Sequence, residues 1–149
     1  GILNTDGSVD KARNAELVAL ARPMTVVFHR AFDRCNDPSA ALEDIISLGF
    51  DRVLTSGLRN TAEEGAPLLK ELIEQANGRI EVMPGSGVNE DNVLNILRVT
   101  GARSIHSSAK ITMPSSMTYT SDALDGMNEA IMETSKEKVR GLVVLIGGG

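Results

Sequence analysis

Thr25-Val-Val-Phe-His-Arg-Ala-Phe-Asp33 runs from β-branched and aromatic residues straight into a histidine, an arginine and an aspartate. That is the pattern of a buried parallel strand whose C-terminal end opens on a binding site. Three later segments repeat it: Arg52-Val-Leu-Thr-Ser-Gly57, Ile80-Glu-Val-Met-Pro-Gly-Ser-Gly87 and Ala102-Arg-Ser-Ile-His-Ser-Ser-Ala109. Each is an apolar stretch ending in small or polar residues, so four strands are predicted to present chemistry at one end.

Helix signals fill the gaps. Val9, Ala12, Leu17 and Leu20 predict a helix over Ser8 to Ala21, ended by Arg22-Pro23. Asp37-Pro38 supplies an N-cap with proline in the first turn, Leu42, Ile45 and Ile46 form the stripe, and Gly49 is the stop. Thr61-Ala-Glu-Glu64 reads as a capping box ahead of Leu68, Leu69, Leu72 and Ile73, with Gly78 as the stop. Asn89 is placed to cap a helix carrying Val93, Leu94, Ile96 and Leu97, ended by Gly101. The predicted strands are Thr25–His29, Arg52–Thr55, Ile80–Met83 and Arg103–His106. Residues 110–134 break the rhythm and read as a long loop or lid after the last strand. Ser135 then caps a final helix over Lys136 to Ile146.

A βα unit recurring every ~25 residues predicts an α/β fold with parallel strands. An open doubly wound sheet would carry a glycine-rich turn after its first strand, and none stands there. A (β/α)8 TIM-type barrel needs about 250 residues and eight units. Four strands in 149 residues therefore predict one domain, 1–149, that is the C-terminal half of such a barrel, strands 5–8 with their helices. The chain enters at Gly1 directly into a turn, as though an element preceded it.

Composition narrows the function classes. Hydrophobic residues make up 42% and charged residues 23%, the balance of an ordinary globular chain. A net charge of −5 argues against a nucleic-acid partner. No apolar run is long enough to span a membrane. The single cysteine, Cys35, excludes an internal disulfide and suits a reducing cytoplasm.

Met83-Pro-Gly-Ser-Gly87 brings two glycines and a helix start together, an arrangement that suits an anion, with Ser107 and Ser108 placed to complete it; a tight turn is the alternative. His29 and His106, the only histidines, both lie at strand ends and suit acid/base work or metal ligation. Arg30 suits an anion and Asp33 suits orienting a histidine or acting as a base; an internal Arg–Asp pair supporting the loop is the competing reading. Ser56 and Gly57 are expected to line the site, without the strand–turn–helix elbow of a serine nucleophile. Cys35 is the weak candidate for a soft metal, because six methionines are scattered without pairing. The catalytic candidates are thus His29, Asp33 and His106, and the ligand-binding set is Arg30, Ser56, Gly85, Ser86, Gly87 and Ser108.

Phe28-His-Arg-Ala-Phe-Asp33, Leu48-Gly-Phe-Asp-Arg-Val-Leu-Thr-Ser-Gly57, Gly78-Arg-Ile-Glu-Val-Met-Pro-Gly-Ser-Gly87 and Ile105-His-Ser-Ser-Ala109 strongly resemble the CutC family, the proteins associated with copper homeostasis. The resemblance runs from Gly1 to about Ala109. It implies a TIM-type barrel, a cytoplasmic location, homo-oligomers and a small-molecule or metal ligand. It also implies Cu(I) binding, through cysteines that the family carries in the first half of its barrel. The strand-end motifs are matched by His29, Arg30, Asp33, Ser56, Gly85, Gly87, His106 and Ser108. From the residues alone, the competing function is a barrel enzyme acting on a small anionic or phosphorylated substrate, with Gly85 and Gly87 on the anion and His29 or His106 moving a proton.

Overall fold

The computed structural model describes residues 1–115, 117–119 and 131–147. It divides into two compact units, Gly1–Ser107 and Ser108–Gly149. The first unit holds α1 (Lys11–Ala21), β1 (Val27–Phe28), a 3-10 turn (Arg30–Arg34), α2 (Pro38–Ser47), β2 (Arg52–Thr55), α3 (Ala66–Ala76), β3 (Glu81–Pro84) and α4 (Val93–Thr100). The second holds β4 (Lys110–Met113), β5 (Ile131–Thr134) and α5 (Lys136–Gly147).

The strands of the first unit form a parallel sheet in the order β1-β2-β3. Phe28 and Val53 share one face with Thr55, Val82 and Pro84, and all five are buried. Helices cover that side, and Leu42, Ile45, Leu69, Leu72 and Ile96 complete the core. Phe28 and Phe50 meet edge to face at 5.3 Å between ring centroids, a favoured aromatic geometry. The other face carries Val27, Arg52, Leu54, Glu81 and Met83, none of them buried. The sequence pattern predicted a strand buried on both sides; here β1 is covered on one side only, because side chains alternate across a strand and the helices lie on one face.

Four local differences from the sequence reading have identifiable causes. Predicted strand Arg103–His106 is reduced to a single parallel bridge between Gly85 and His106, with the His106 N–H donating to the Pro84 carbonyl at 2.8 Å. Helix α1 starts at Lys11 rather than Ser8, because Asp10 caps it at Arg13 N (2.9 Å) while Val9 pairs with Leu3. Thr61 does accept from Glu64 N at 3.2 Å, yet α3 begins only at Ala66, since the intervening Ala62 N–H is drawn to the Ser86 carbonyl. Asn92 rather than Asn89 stands at the start of α4.

In the second unit, β4 and β5 pair antiparallel, from Lys110 opposite Thr134 to Met113 opposite Ile131. The segment 110–134, predicted as a loop, is therefore framed by a strand at each end; residues 116 and 120–130 lie outside the described residues. Ser135 accepts from Lys138 N at 3.3 Å and caps α5 as the sequence predicted.

Candidate functional site

The 3-10 turn after β1 gathers a dense set of polar contacts around Asp33. His29 caps it, its Nδ1 accepting from Ala31 N at 3.0 Å, which puts the proton of the neutral ring on Nε2. One turn on, the Asp33 carboxylate is 9% exposed and reaches across to the loop after β2. It accepts from Thr55 Oγ1 (2.5 Å), Ser56 N (3.0 Å), Ser56 Oγ (3.0 Å), Leu58 N (3.3 Å) and Arg30 Nε (2.6 Å). A carboxylate offers about four lone-pair directions. With this many donors in place none is left for a substrate proton, so Asp33 is built as a clamp on the Thr55–Leu58 loop.

Ser56 is fully buried inside the same network. Its hydroxyl accepts from Arg30 Nη2 at 2.8 Å and stands 2.5 Å from the Arg59 carbonyl as well as beside Asp33. One hydroxyl proton serves only one of those two acceptors. Gly57 (φ +68) and Leu58 (φ +58) turn the loop through left-handed backbone, and Thr55 Oγ1 accepts from Gly57 N at 2.9 Å. Of this group only Arg30, with 44% of its side chain exposed, faces solvent.

A second loop lies beside the first. The Gly85 N–H is used by the sheet, donating to the Thr55 carbonyl at 3.0 Å. A Cβ on Gly85 would come within 2.6 Å of Leu54 and 3.2 Å of the His106 Cβ, so glycine here permits the close approach of His106. Ser86 (φ +87) donates from Oγ to the Asn60 carbonyl at 2.8 Å, and the Gly87 carbonyl accepts from Asn92 Nδ2 at 2.9 Å. The bridge to His106 turns the Ser86 N–H toward the His106 carbonyl, while the Gly87 N–H donates to no acceptor among the described residues. Five residues, Val88 to Asn92, separate Gly87 from α4, so the helix N-terminus stands apart from the glycines.

The two histidines share a sheet face. His29 continues β1 in extended backbone two residues beyond Val27, which places it with Val27 on the open side. His106 is bridged to Gly85, on the same side as Met83, and both histidines are exposed. Ser107 donates to the Val88 carbonyl at 2.7 Å. Ser108 belongs to the second unit, where its carbonyl accepts from Thr134 Oγ1 at 3.1 Å. A cavity of about 590 Å3, lined by Ile73, Asn77, Ile80, Val82, Ala102 and Arg103, opens at the start of β3, the opposite end of that strand from the polar loops.

Cys35 ends the 3-10 turn, its N–H donating to the Phe32 carbonyl at 3.1 Å, and is buried. Burial pushes its thiol up from 9.0 to about 11, with the charges of Asp33 and Asp37 adding to the shift. A raised thiol pKa disfavours the folded thiolate, so the stability present below pH 9 falls as pH rises toward 11. We expect the urea midpoint to drop across that window and a Cys35→Ala variant to be flatter there. Equal slopes in the two proteins would contradict this.

Cu(I) favours thiolate and thioether donors, several at once. At neutral pH Cys35 is a protonated, buried thiol, and among the described residues no group of three or more His, Cys, Asp or Glu side chains stands together. Met24 and Met117 are exposed at separate points of the chain, Met132 sits on β5, and Met127 lies outside the described residues. These residues do not fit a Cu(I) centre.

Sequence reasoning missed two residues that hold this region. Asn14, fully buried on α1, accepts from Ile2 N and donates to the Ile2 and Asp10 carbonyls, tying the N-terminal segment down. Thr55, the last residue of β2, supplies the shortest contact to Asp33. A buried asparagine one turn before the buried Val18 has no local signal of its own; a threonine at a strand's C-terminal end does.

A family model described as the CutC family matches residues 1–111. Proteins named copper homeostasis protein cutC homolog from Mus musculus and Homo sapiens are each 52% identical over 119 residues, covering 80% of this chain and 44% of the relative. A CutC family protein of Chromobacterium violaceum is 46% identical over 147 residues, 95% of this chain and 60% of that protein. A crystal structure of a CutC protein from Streptococcus agalactiae superimposes with a TM-score of 0.67 at 34% identity, covering 71% of this chain and 52% of the other. The chain spans about half the length of the curated relatives it matches.

Proposed function

This chain belongs to the CutC family, and from that premise we propose that it serves copper homeostasis in the cytoplasm, as a homo-oligomer whose βα repeats are strands and helices of a (β/α)8 barrel. The observation that carries the proposal is the 52% identity to two proteins named for copper homeostasis. The parallel order β1-β2-β3, the bridge to His106 and the single covered sheet face support the barrel. The chain's own part in this role is the polar cluster at the strand ends, and among the described residues no group of three or more His, Cys, Asp or Glu side chains stands together to hold Cu(I).

Two measurements test the reading. Cells deprived of the protein are expected to change their tolerance of graded copper, and unchanged growth at every concentration removes the homeostasis role. Titration of Cu(I) against a competing chelator is expected to give the same curve for the chain and its Cys35→Ser variant. Tighter binding by the parent chain would restore Cys35 as a ligand.

A second reading rests on the Gly87 N–H group and the exposed Arg30 guanidinium, which suit a small anionic or phosphorylated ligand. In it, Gly85 and Gly87 shape the loop and His29 or His106 moves the proton. Sulfate-soaked crystals in which the anion consistently avoids Ser86–Gly87 would count heavily against it.

A further inference from the structure

Asparagine is followed by glycine once in this chain, at Asn77-Gly78, where α3 hands over to β3. Both residues have positive φ, +45 and +75, and the Arg79 N–H donates to the Ala76 carbonyl at 2.9 Å. Ala76 to Arg79 thus form a turn of the type I′ kind, for which asparagine and glycine are suited because they tolerate left-handed backbone. The same geometry leaves the pair unguarded. Asn77 and Gly78 are exposed, and among the described residues the Asn77 amide makes no hydrogen bond and the Gly78 N–H has no acceptor. A Cβ on Gly78 would meet nothing within 4 Å, so the chain has room to rotate there.

We propose that Asn77 is a self-modifying site, at which the Gly78 backbone nitrogen attacks the Asn77 side chain and converts it to isoaspartate and aspartate. Water is the only co-reactant. The Gly78 amide gives its proton to solvent base and its nitrogen bonds to Asn77 Cγ, while the bond from Cγ to the side-chain nitrogen breaks. That nitrogen leaves as ammonia, and a cyclic imide remains. Water then opens the ring at either carbonyl. Opening at Cγ restores the normal backbone with an aspartate side chain; opening at the main-chain carbonyl leaves the backbone running through Cβ and Cγ. The step is neither oxidation nor reduction.

The chain holds its own contrast. Asp6-Gly7 has the same glycine, but the Gly7 N–H donates to the Asn4 carbonyl at 3.0 Å, and the Asp6 carboxylate accepts from Ser8 N (2.9 Å) and Ser8 Oγ (2.7 Å). Nucleophile and electrophile are both occupied there. At Asn77 only a restraint from the next residue opposes the reaction. Ring closure turns the peptide plane after Asn77, and the Arg79 guanidinium holds that plane's neighbour by gripping Glu43 at 2.7 and 2.8 Å and donating to the Gln75 and Ala76 carbonyls. An exposed pair holds loosely, and helix ends fray. Conversion sets a new negative charge at the C-terminal end of α3, against the helix dipole and one turn from Glu74. Isoaspartate also adds a carbon to the turn that leads into β3, so the converted chain should unfold at lower urea concentration than the parent.

The test is incubation of the folded chain at physiological temperature and mildly alkaline pH, followed by digestion, chromatographic separation of the isomers and mass spectrometry. Amide nitrogen should be exchanged for oxygen at Asn77, with isoaspartate and aspartate both present, while Asp6 stays unisomerised. Gly78→Ala, whose methyl crowds the attacking nitrogen but has free space in the fold, should slow conversion at least about tenfold. Arg79→Ala should speed it roughly two- to fivefold, the magnitude of an exposed ion pair. An Asn77 that stays intact for the time in which a synthetic peptide of residues 74–82 converts would overturn the site. Equal rates in the parent and Arg79→Ala proteins would overturn the restraint. Isomerisation of Asp6 as fast as conversion of Asn77 would show that the hydrogen bonds select nothing, and would overturn the argument from exposure.

Discussion

Gly65→Ala is expected to cost at least about 4 kcal/mol, a large share of the about 5–15 kcal/mol that holds a domain folded. A Cβ at position 65 would lie 1.8 Å from the Ser56 carbonyl oxygen and 2.9 Å from the Gly57 Cα. Both obstacles are backbone, so no side chain can swing away. Gly57 answers with the same constraint, since its own Cβ would meet the Gly65 carbonyl oxygen at φ +68. Gly65 stands at the N-cap of α3, so relieving the contact moves either that helix or the loop that Asp33 clamps. Gly101→Ala is the contrast: its backbone is left-handed (φ +73) where that of Gly65 is not (φ −84), but a Cβ there has nothing within 4 Å, so it should cost only the conformational penalty of about 1–2 kcal/mol. Urea unfolding of both variants decides the matter. A Gly65→Ala protein within 1 kcal/mol of the parent would show the backbone approach to be looser than described.

Asp33→Ala should destabilise by about 3 kcal/mol, a fall in Tm of roughly 10 °C. The substitution strands the Thr55 hydroxyl and the Ser56 and Leu58 N–H groups, of which the first two belong to fully buried residues. Arg30→Ala removes one donor from a partly exposed pair and should cost only about 1 kcal/mol, because solvent screens the guanidinium. The comparison separates two accounts of the site. If Arg30→Ala cost as much as Asp33→Ala, the ion pair and not the acceptor role of Asp33 would hold the loop. With the costs ranked as expected, Asp33 acts by positioning Ser56 and Arg30.

Local signals were legible where local chemistry decides. Asp37 caps α2 at Ala40 N (3.0 Å) with proline in its first turn, as its sequence reads, and β2 spans Arg52–Thr55 to the residue. Thr61 shows the limit of such signals. Its hydroxyl makes the local hydrogen bond that the sequence promises, but a distant carbonyl at Ser86 takes the Ala62 N–H and the helix waits until Ala66. The last predicted strand failed for a related reason. The segment Arg103–His106 can extend, with Ile105 as its one apolar residue, while a ladder needs a neighbour in register, and only Gly85 provides one.

By itself, then, the sequence determined the family, the βα rhythm and the strand ends at which His29, Arg30, Asp33, Ser56 and His106 stand, because periodicity, caps and motifs are properties of neighbours along the chain. Only the tertiary structure decided that Asp33 is consumed as an acceptor, that Ser56 is sealed from solvent and that Cys35 is buried with its thiol pushed up to about 11. Those outcomes depend on donors more than 20 residues away and on how much water packing leaves at each group. The packed sheet face belongs with them: the alternation of Val27 and Phe28 says that two faces exist, and packing alone reveals which one the helices cover.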